Sequence, residues 1–213
     1  MEALDRYQTL SNKLVLRDWD AMVFHLPYAY QGRRMWAEIA LDLVTKAERL
    51  HEIEAAVGQT QEEAGGPKNL AKLWSKTPYY KAYVKAYIEP GELASQKIGN
   101  MYTASIFMAL LSTLVESRNK GTDISNFRVG FLSYGSGSKS KVFSGVVQST
   151  YKDQLNGVFP LYFLDERSTI DFATYEKLHQ RALPMPLEPS KGAYLKSIGA
   201  EGVQLGYRMY DIA

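Results

Sequence analysis

Apolar residues recur at spacings of three and four from Met1 to Leu14, with Leu4, Tyr7, Leu10 and Leu14 on one stripe, and this period predicts a short amphipathic helix. The rhythm changes at DAMVFHLP, a compressed apolar run ended by Pro27, which suits a buried strand. From Tyr28 to about Val57 the positions Trp36, Ile39, Leu43, Ala47 and Leu50 return to helical spacing with acids and bases between them. They predict one long helix with a solvated face. GQTQEEAGGPK is polar and glycine-bearing and reads as an exposed loop. A second helical region runs from Asn69 to Ile88 with Trp74, Tyr80, Tyr83, Val84 and Tyr87; Pro78 interrupts it and EPGE stops it.

GNMYTASIFMALLSTLVESR is apolar nearly all round, which predicts a buried helix, with Asn100 where an N-cap belongs. A strand from Phe127 to Leu132, a loop of small residues and a second strand from Val142 to Val147 suggest a hairpin. Asp165 to Ala182 reads as helix and LPMPLEPSKG as loop. AYLKSIGAEGVQLGYRMYDI reads as two closing strands around GAEG. The sequence carries no internal repeat and no low-complexity tract.

Composition narrows the function classes. At 213 residues and 46% hydrophobic content, the chain is long enough for one large domain or two small ones. Its 25 basic and 23 acidic residues leave a net charge of +2, without the concentrated positive charge that nucleic acid or an acidic membrane favours. No apolar run approaches the ~20 residues that span a bilayer, and MEALDRYQTL lacks the regions of a signal peptide, so a soluble, cytoplasmic chain is expected. The sequence contains no cysteine, which excludes a disulfide, a thiolate metal site or a thioester on its own sulfur.

The stretch FRVGFLSYGSGSKSKVF, Phe127 to Phe143, could be a phosphate cradle, a hairpin turn or part of another site. A P-loop needs G-x-x-x-x-G-K-[ST] between a strand and a helix, so that N–H groups at the helix start point at the phosphates. Here Ser138 separates Gly137 from Lys139, and a strand follows, so that reading fails. As a hairpin, Gly135 and Gly137 would supply positive φ and the serines would solvate the tip. Three stretches taken in order change the weighting: FHLP at Phe24 to Pro27, GNMYTAS at Gly99 to Ser105, and FLSYGSGSKS at Phe131 to Ser140. With them the sequence resembles the C-terminal half of hydroxymethylglutaryl-CoA (HMG-CoA) synthase, a thiolase-like condensing enzyme, from the first helix to the final YRMY.

The resemblance implies an α/β, thiolase-like half over residues 1–213, a mixed sheet covered by helices with an inserted helical region near residues 45–98. The family's other half, with its catalytic cysteine and general-base glutamate, has no counterpart in this sequence. In the family, an acetyl group loaded on the cysteine is deprotonated by the glutamate, and the carbanion attacks the ketone of acetoacetyl-CoA; hydrolysis releases HMG-CoA. The ligands implied are CoA thioesters, acetyl-CoA and acetoacetyl-CoA, with no separate cofactor and no metal. A place in mevalonate and isoprenoid synthesis and a dimer of the complete enzyme are implied as well.

Unaided, His25 could be a core or helix-capping histidine satisfied by a backbone carbonyl. The resemblance makes it the group that hydrogen-bonds the acetoacetyl unit and supplies a proton to the ketone oxyanion, a task suited to an imidazole that exchanges a proton near neutral pH. Its place at the C-terminal end of a buried strand is where ligand sites open in α/β folds. His51 and His179 lie among charged residues and read as solvated. Asn100 is either an N-cap or, by resemblance, the amide that places the acetoacetyl carbonyl, and the two are compatible. Tyr102 lies near the same pocket or packs in the core. Ser133 and the YGSG turn, Tyr134 to Gly137 with Gly135 in it, would wall the reacting centre, small residues letting substrate approach the backbone. Arg33, and then Arg34, are candidates for the CoA phosphates against a reading as solvated helix cations, and Lys139 and Lys141 fit a surface role equally well.

A half of this kind is expected to be inactive alone and to expose the apolar surface its sister half would cover, with self-association or a partner as the result. Met1 falls near the junction between halves in the family, which points to an excised or truncated portion of a longer enzyme, or a split-gene subunit. Two other function classes stay open. One is a non-catalytic acyl-CoA-binding or assembly subunit, against which the joint presence of His25, Asn100 and Ser133 speaks. The other is a related condensing enzyme acting on carrier-protein-bound acyl groups.

Overall fold

The computed structural model describes residues 2–135, 139–156, 167–183 and 193–212. They fall into two compact units, residues 1–166 and 167–213.

The first unit is built on a three-stranded mixed sheet of order β1-β2-β3. Strand β1, Ala21–Phe24, is buried at every position, as a strand covered on both faces must be. It runs parallel to β2, Arg128–Gly135, in the register Ala21↔Val129 to Phe24↔Leu132. Strand β3, Lys139–Val146, pairs antiparallel with β2 from Arg128↔Val146 to Gly135↔Lys139. The hairpin reading therefore holds, and a phosphate cradle is ruled out by a strand where a helix would have to begin. Residues 136–138 of the predicted turn, with Gly137, lie outside the described residues.

Helix α1 spans Glu2–Ser11 and a short α2 spans Val15–Asp18. The predicted long helix is two: α3, Gln31–Lys46, and α4, Leu50–Val57. Glu48 takes a left-handed conformation (φ 58°). The Arg49 N–H donates to Val44 O and the Glu48 N–H to Thr45 O, a closure that satisfies the last carbonyls of α3. Pro78 opens a helix instead of interrupting one. Helices α5, Pro67–Trp74, and α6, Pro78–Tyr87, both place proline at their start, where its missing N–H costs nothing, and the Thr77 hydroxyl accepts from Tyr80 N–H. A 3-10 turn, Glu89–Gly91, leads into α7, Leu93–Ile98. A short α9, Tyr151–Gln154, follows β3.

Helix α8 spans Ser105–Asn119 and corrects the expectation of a helix beginning at Met101 and buried all round. Its buried stripe is made of small residues, Ser105, Ala109, Ser112, Thr113 and Ser117 beside Ile106 and Val115. They admit the neighbouring backbone: the Ala94 N–H donates to Ser112 Oγ at 3.1 Å, and a Cβ on Gly91 would sit 3.3 Å from Thr113 Oγ1. The bulkier residues are less covered, with Phe107 59% exposed and Met108, Leu110, Leu111 and Leu114 partly buried against the edge of the core.

Trp19 covers the sheet at Gly130. Its Nε1–H donates to Tyr7 Oη, whose own proton goes to Ser144 Oγ, tying α1 to β3. A Cβ on residue 130 would overlap the indole. Gly130→Ala is expected to lower stability by about 1–3 kcal/mol or more, since overpacking in a filled core forces side chains off their rotamers. Urea unfolding checks this, with Gly145→Ala, where a Cβ meets nothing closer than 3.9 Å, as the tolerated control.

The second unit holds α10, Phe172–His179, and an antiparallel pair, β4, Ala193–Ile198, with β5, Arg208–Ile212. Both closing strands occur as expected. The helix is shorter than the predicted 165–182: Asp171 caps it by accepting from Thr174 N–H at 2.7 Å, and Asp165 and Glu166 lie outside the described residues, as do residues 184–192 of the predicted loop. Among the described residues no helix is long and apolar enough to cross a membrane.

Candidate functional site

The ladder of β1 and β2 delivers His25. One residue beyond Phe24↔Leu132, the His25 N–H donates to Leu132 O at 2.9 Å, so the imidazole leaves the sheet at the C-terminal end of β1, beside Ser133. Helix α3 returns close to that end because Gly32 has no side chain; a Cβ there would come within 2.7 Å of the Phe24 ring. His25 is half-buried, between two partners. Its Nδ1 lies 3.1 Å from Ser105 Oγ at the start of α8, and its ring meets that of Tyr134 edge-on, with centroids 5.0 Å apart at 90°. Ser105 is fully buried, and its Oγ also accepts from Leu26 N–H at 3.0 Å. The first turn of α8 is thereby fastened to the strand that carries the histidine.

Asn100 caps something other than α8. Its Oδ1 accepts from Tyr102 N–H at 2.8 Å and holds a 3-10 turn, Tyr102–Ala104, that precedes the helix. Gly99 supplies a conformation (φ 90°, ψ −150°) suited to glycine, and Tyr102 itself sits at φ 50°. Non-glycine residues in that region concentrate at functional sites. With Oδ1 committed to the turn, the two N–H donors of the Asn100 amide have no partner among the described residues. Tyr102 is 77% exposed, which corrects the core reading. Ser133 is half-buried and Gly135 exposed at the end of β2.

Arg33 is committed elsewhere. Its guanidinium forms a two-pronged pair with Glu92, with Nε to Oε1 at 2.9 Å and Nη2 to Oε2, and it reaches Glu89 at 3.4 Å. Glu92 is buried, and burial pushes its carboxyl above the usual carboxylate range despite the opposing pull of Arg33. Arg34 is exposed, with Nη1 donating to Tyr28 Oη at 2.9 Å. Beside them, a cleft of about 480 Å³ between α3 and α5 gathers Arg33, Arg34, Lys68 and Lys72, with Glu38 the acid among them. Lys139 and Lys141 are exposed on the edge strand. His51 and His179 are exposed, as read from sequence. Among the described residues no group of three or more His, Asp or Glu side chains could hold a metal ion.

Ser105, Lys68 and Lys72 escaped the sequence reading, whereas Tyr134 opens the YGSG stretch already set beside Ser133. Ser105 was visible as a hydroxyl opening an apolar helix, five residues after Asn100; the lysines belong to a cleft that only tertiary packing creates.

A mixed sheet covered by helices, with a histidine leaving one strand and a helix start beside it, is the architecture of a thiolase-like half. Solved structures share this fold. PksG, an HMG-CoA synthase from Bacillus subtilis, superposes with a TM-score of 0.66 at 16% identity over 99% of this chain and 48% of its own. MvaS in complex with 3-hydroxy-3-methylglutaryl coenzyme A does so with a TM-score of 0.64 at 23% identity over 96% and 46%. The chain belongs to the family described as hydroxymethylglutaryl-coenzyme A synthase C terminal, which it matches over residues 3–183. The HMG-CoA synthase of Enterococcus faecalis is 26% identical over 84% of this chain, and that of Haloferax volcanii 25% identical over 84%. The chain spans only 37% and 42% of those relatives' lengths.

Proposed function

We propose that this chain is the acceptor-binding half of an HMG-CoA synthase, working with a thiolase-like half that carries the cysteine and the glutamate. The observation that carries this reading is His25 at the end of β1, braced by Ser105, in a chain of this family. In the reaction, the carbanion of the acetyl group held on the partner's cysteine attacks the ketone carbon of acetoacetyl-CoA. The new carbon–carbon bond displaces the C=O electron pair onto oxygen. That oxygen meets the imidazole of His25, which holds a proton, and the N–H donors of Asn100, groups positioned before the charge appears. Hydrolysis of the thioester then frees the cysteine and HMG-CoA. Ser133 and Gly135 flank the acyl group, and Tyr134 closes the space beyond the imidazole.

The basic cleft beside α3 suits the phosphates of CoA, and with Arg33 tied to Glu92 the contact falls to Arg34, Lys68 and Lys72. The outward, bulky face of α8 is where the sister half seats. A place in the mevalonate route to isoprenoids, a cytoplasmic location and a dimer of the complete enzyme follow from the same reading. The carrier-protein alternative rests on 28% identity over 57% of this chain with PksG of Bacillus subtilis, described as a polyketide 3-hydroxy-3-methylglutaryl-ACP synthase, a shorter match than the 84% covered by the HMG-CoA synthases.

Because the sequence supplies no thiolate, the 213-residue chain alone is expected to form no HMG-CoA from acetyl-CoA and acetoacetyl-CoA. Product assays on the purified chain check this, and steady turnover would overturn the division of labour between the halves.

A further inference from the structure

We infer that Ser105 is a positioning residue that locks His25 in the Nε2–H tautomer. Ser105 Oγ offers two lone pairs and one proton. The Leu26 N–H takes one lone pair at 3.0 Å. Among the described residues, the other partner of this oxygen is His25 Nδ1 at 3.1 Å. If Nδ1 carried the proton, it would donate into the second lone pair, and the hydroxyl proton of a fully buried side chain would have no acceptor. If Nδ1 is bare, the hydroxyl donates to it, and the amide, the hydroxyl and the imidazole are all satisfied. A buried donor left unmade is costly enough to favour the second arrangement by about ten to one or more.

The consequence is directional. Nδ1 faces the buried serine, so Nε2, on the far side of the ring, carries the proton outward as a hydrogen-bond donor. That is the polarity a developing oxyanion requires, and the opposite tautomer would present it with a lone pair. Ser105 fixes the ring through two anchors at once, because the same oxygen also holds the backbone of Leu26, the residue after the histidine. The use of the donor rests on the function proposed above; the tautomer rests on the hydrogen bonds alone.

Long-range proton–nitrogen correlation spectra of the 213-residue chain, labelled with ¹⁵N in its three histidines, test the inference at a pH where the imidazoles are neutral. His51→Gln and His179→Gln assign the resonances, and these two exposed rings serve as internal references for an unconstrained mixture. His25 is expected to show a bare Nδ1 and a protonated Nε2, at about ten to one or more. Ser105→Ala should move it to the averaged pattern of the exposed rings, and Ser105→Thr, which keeps the hydroxyl, should hold the wild-type pattern. A wild-type His25 protonated on Nδ1, or averaged like His51, overturns the inference even if Ser105→Ala does not fold. So does a Ser105→Ala spectrum identical to wild type. No turnover enters this readout, so a fixed tautomer in a chain that supports no HMG-CoA formation even when combined with the cysteine-bearing half would overturn the proposed function and leave Ser105's role standing.

Discussion

In an enzyme assembled from this chain and a cysteine-bearing thiolase-like half, His25→Ala slows condensation by a factor of about 10²–10⁴ and leaves acetylation of the cysteine largely intact. The two steps draw on different groups. Acetyl transfer uses the thiolate and an oxyanion site of its own half, whereas bond formation needs the acetoacetyl ketone held and polarised. The alanine removes the donor proposed to meet the ketone oxygen, and the ladder hydrogen bond from residue 25 to Leu132 O survives because it is made by the backbone. Labelled acetyl trapped on the partner reports the first step and HMG-CoA the second. Equal loss in both steps would make His25 a structural residue, and unchanged condensation would remove it from the site.

Arg33→Met is expected to lower stability near neutral pH by about 3–5 kcal/mol, the cost of leaving a buried carboxylate without its partner. Glu92 sets the pH dependence. Burial raises its carboxyl above the unfolded value, so the folded state binds that proton more tightly than the unfolded state. The contribution to stability is therefore fully present below the unfolded carboxylate range and is lost as pH rises through the raised folded value. Removing Arg33 strips away the favourable pairing that opposes this loss, so the deficit of the variant is largest at neutral pH and shrinks as the medium becomes acidic. Urea unfolding at a series of pH values measures it. A variant as stable as wild type at every pH, but weak in CoA binding, would return Arg33 to the phosphate role read from the sequence.

The strands were legible because their patterns are local. FRVGFL and KVFSGV carry the alternation and the small-residue turn that make a hairpin, and a run as apolar as AMVF has no stable place except between covered faces. The strand pattern placed His25 at the end of β1, while its role and that of Ser133, which lies within β2 opposite Lys141, came from the resemblance. What the sequence concealed depends on contacts between distant residues. Glu48 ends α3 in a conformation more often taken by glycine, so the break between α3 and α4 has no local marker. Helix α8 buries serines and threonine in place of leucines because the backbone at Gly91 and Ala94 comes too close for anything larger. A rule that sends apolar residues inward misplaces that face. The pairing of Arg33 with Glu92 joins α3 to the turn before α7, and a cation claimed by a buried acid looks the same in sequence as one facing solvent.

The most direct measurement follows label from acetyl-CoA into HMG-CoA, in the presence of acetoacetyl-CoA, when this chain is combined with the cysteine-bearing thiolase-like half from the same genome. The account predicts acetylated cysteine on that half with or without the chain, and HMG-CoA only when both are present. HMG-CoA formed at the same rate without the chain, or acetylated cysteine that never proceeds to product in the assembled pair, would contradict it.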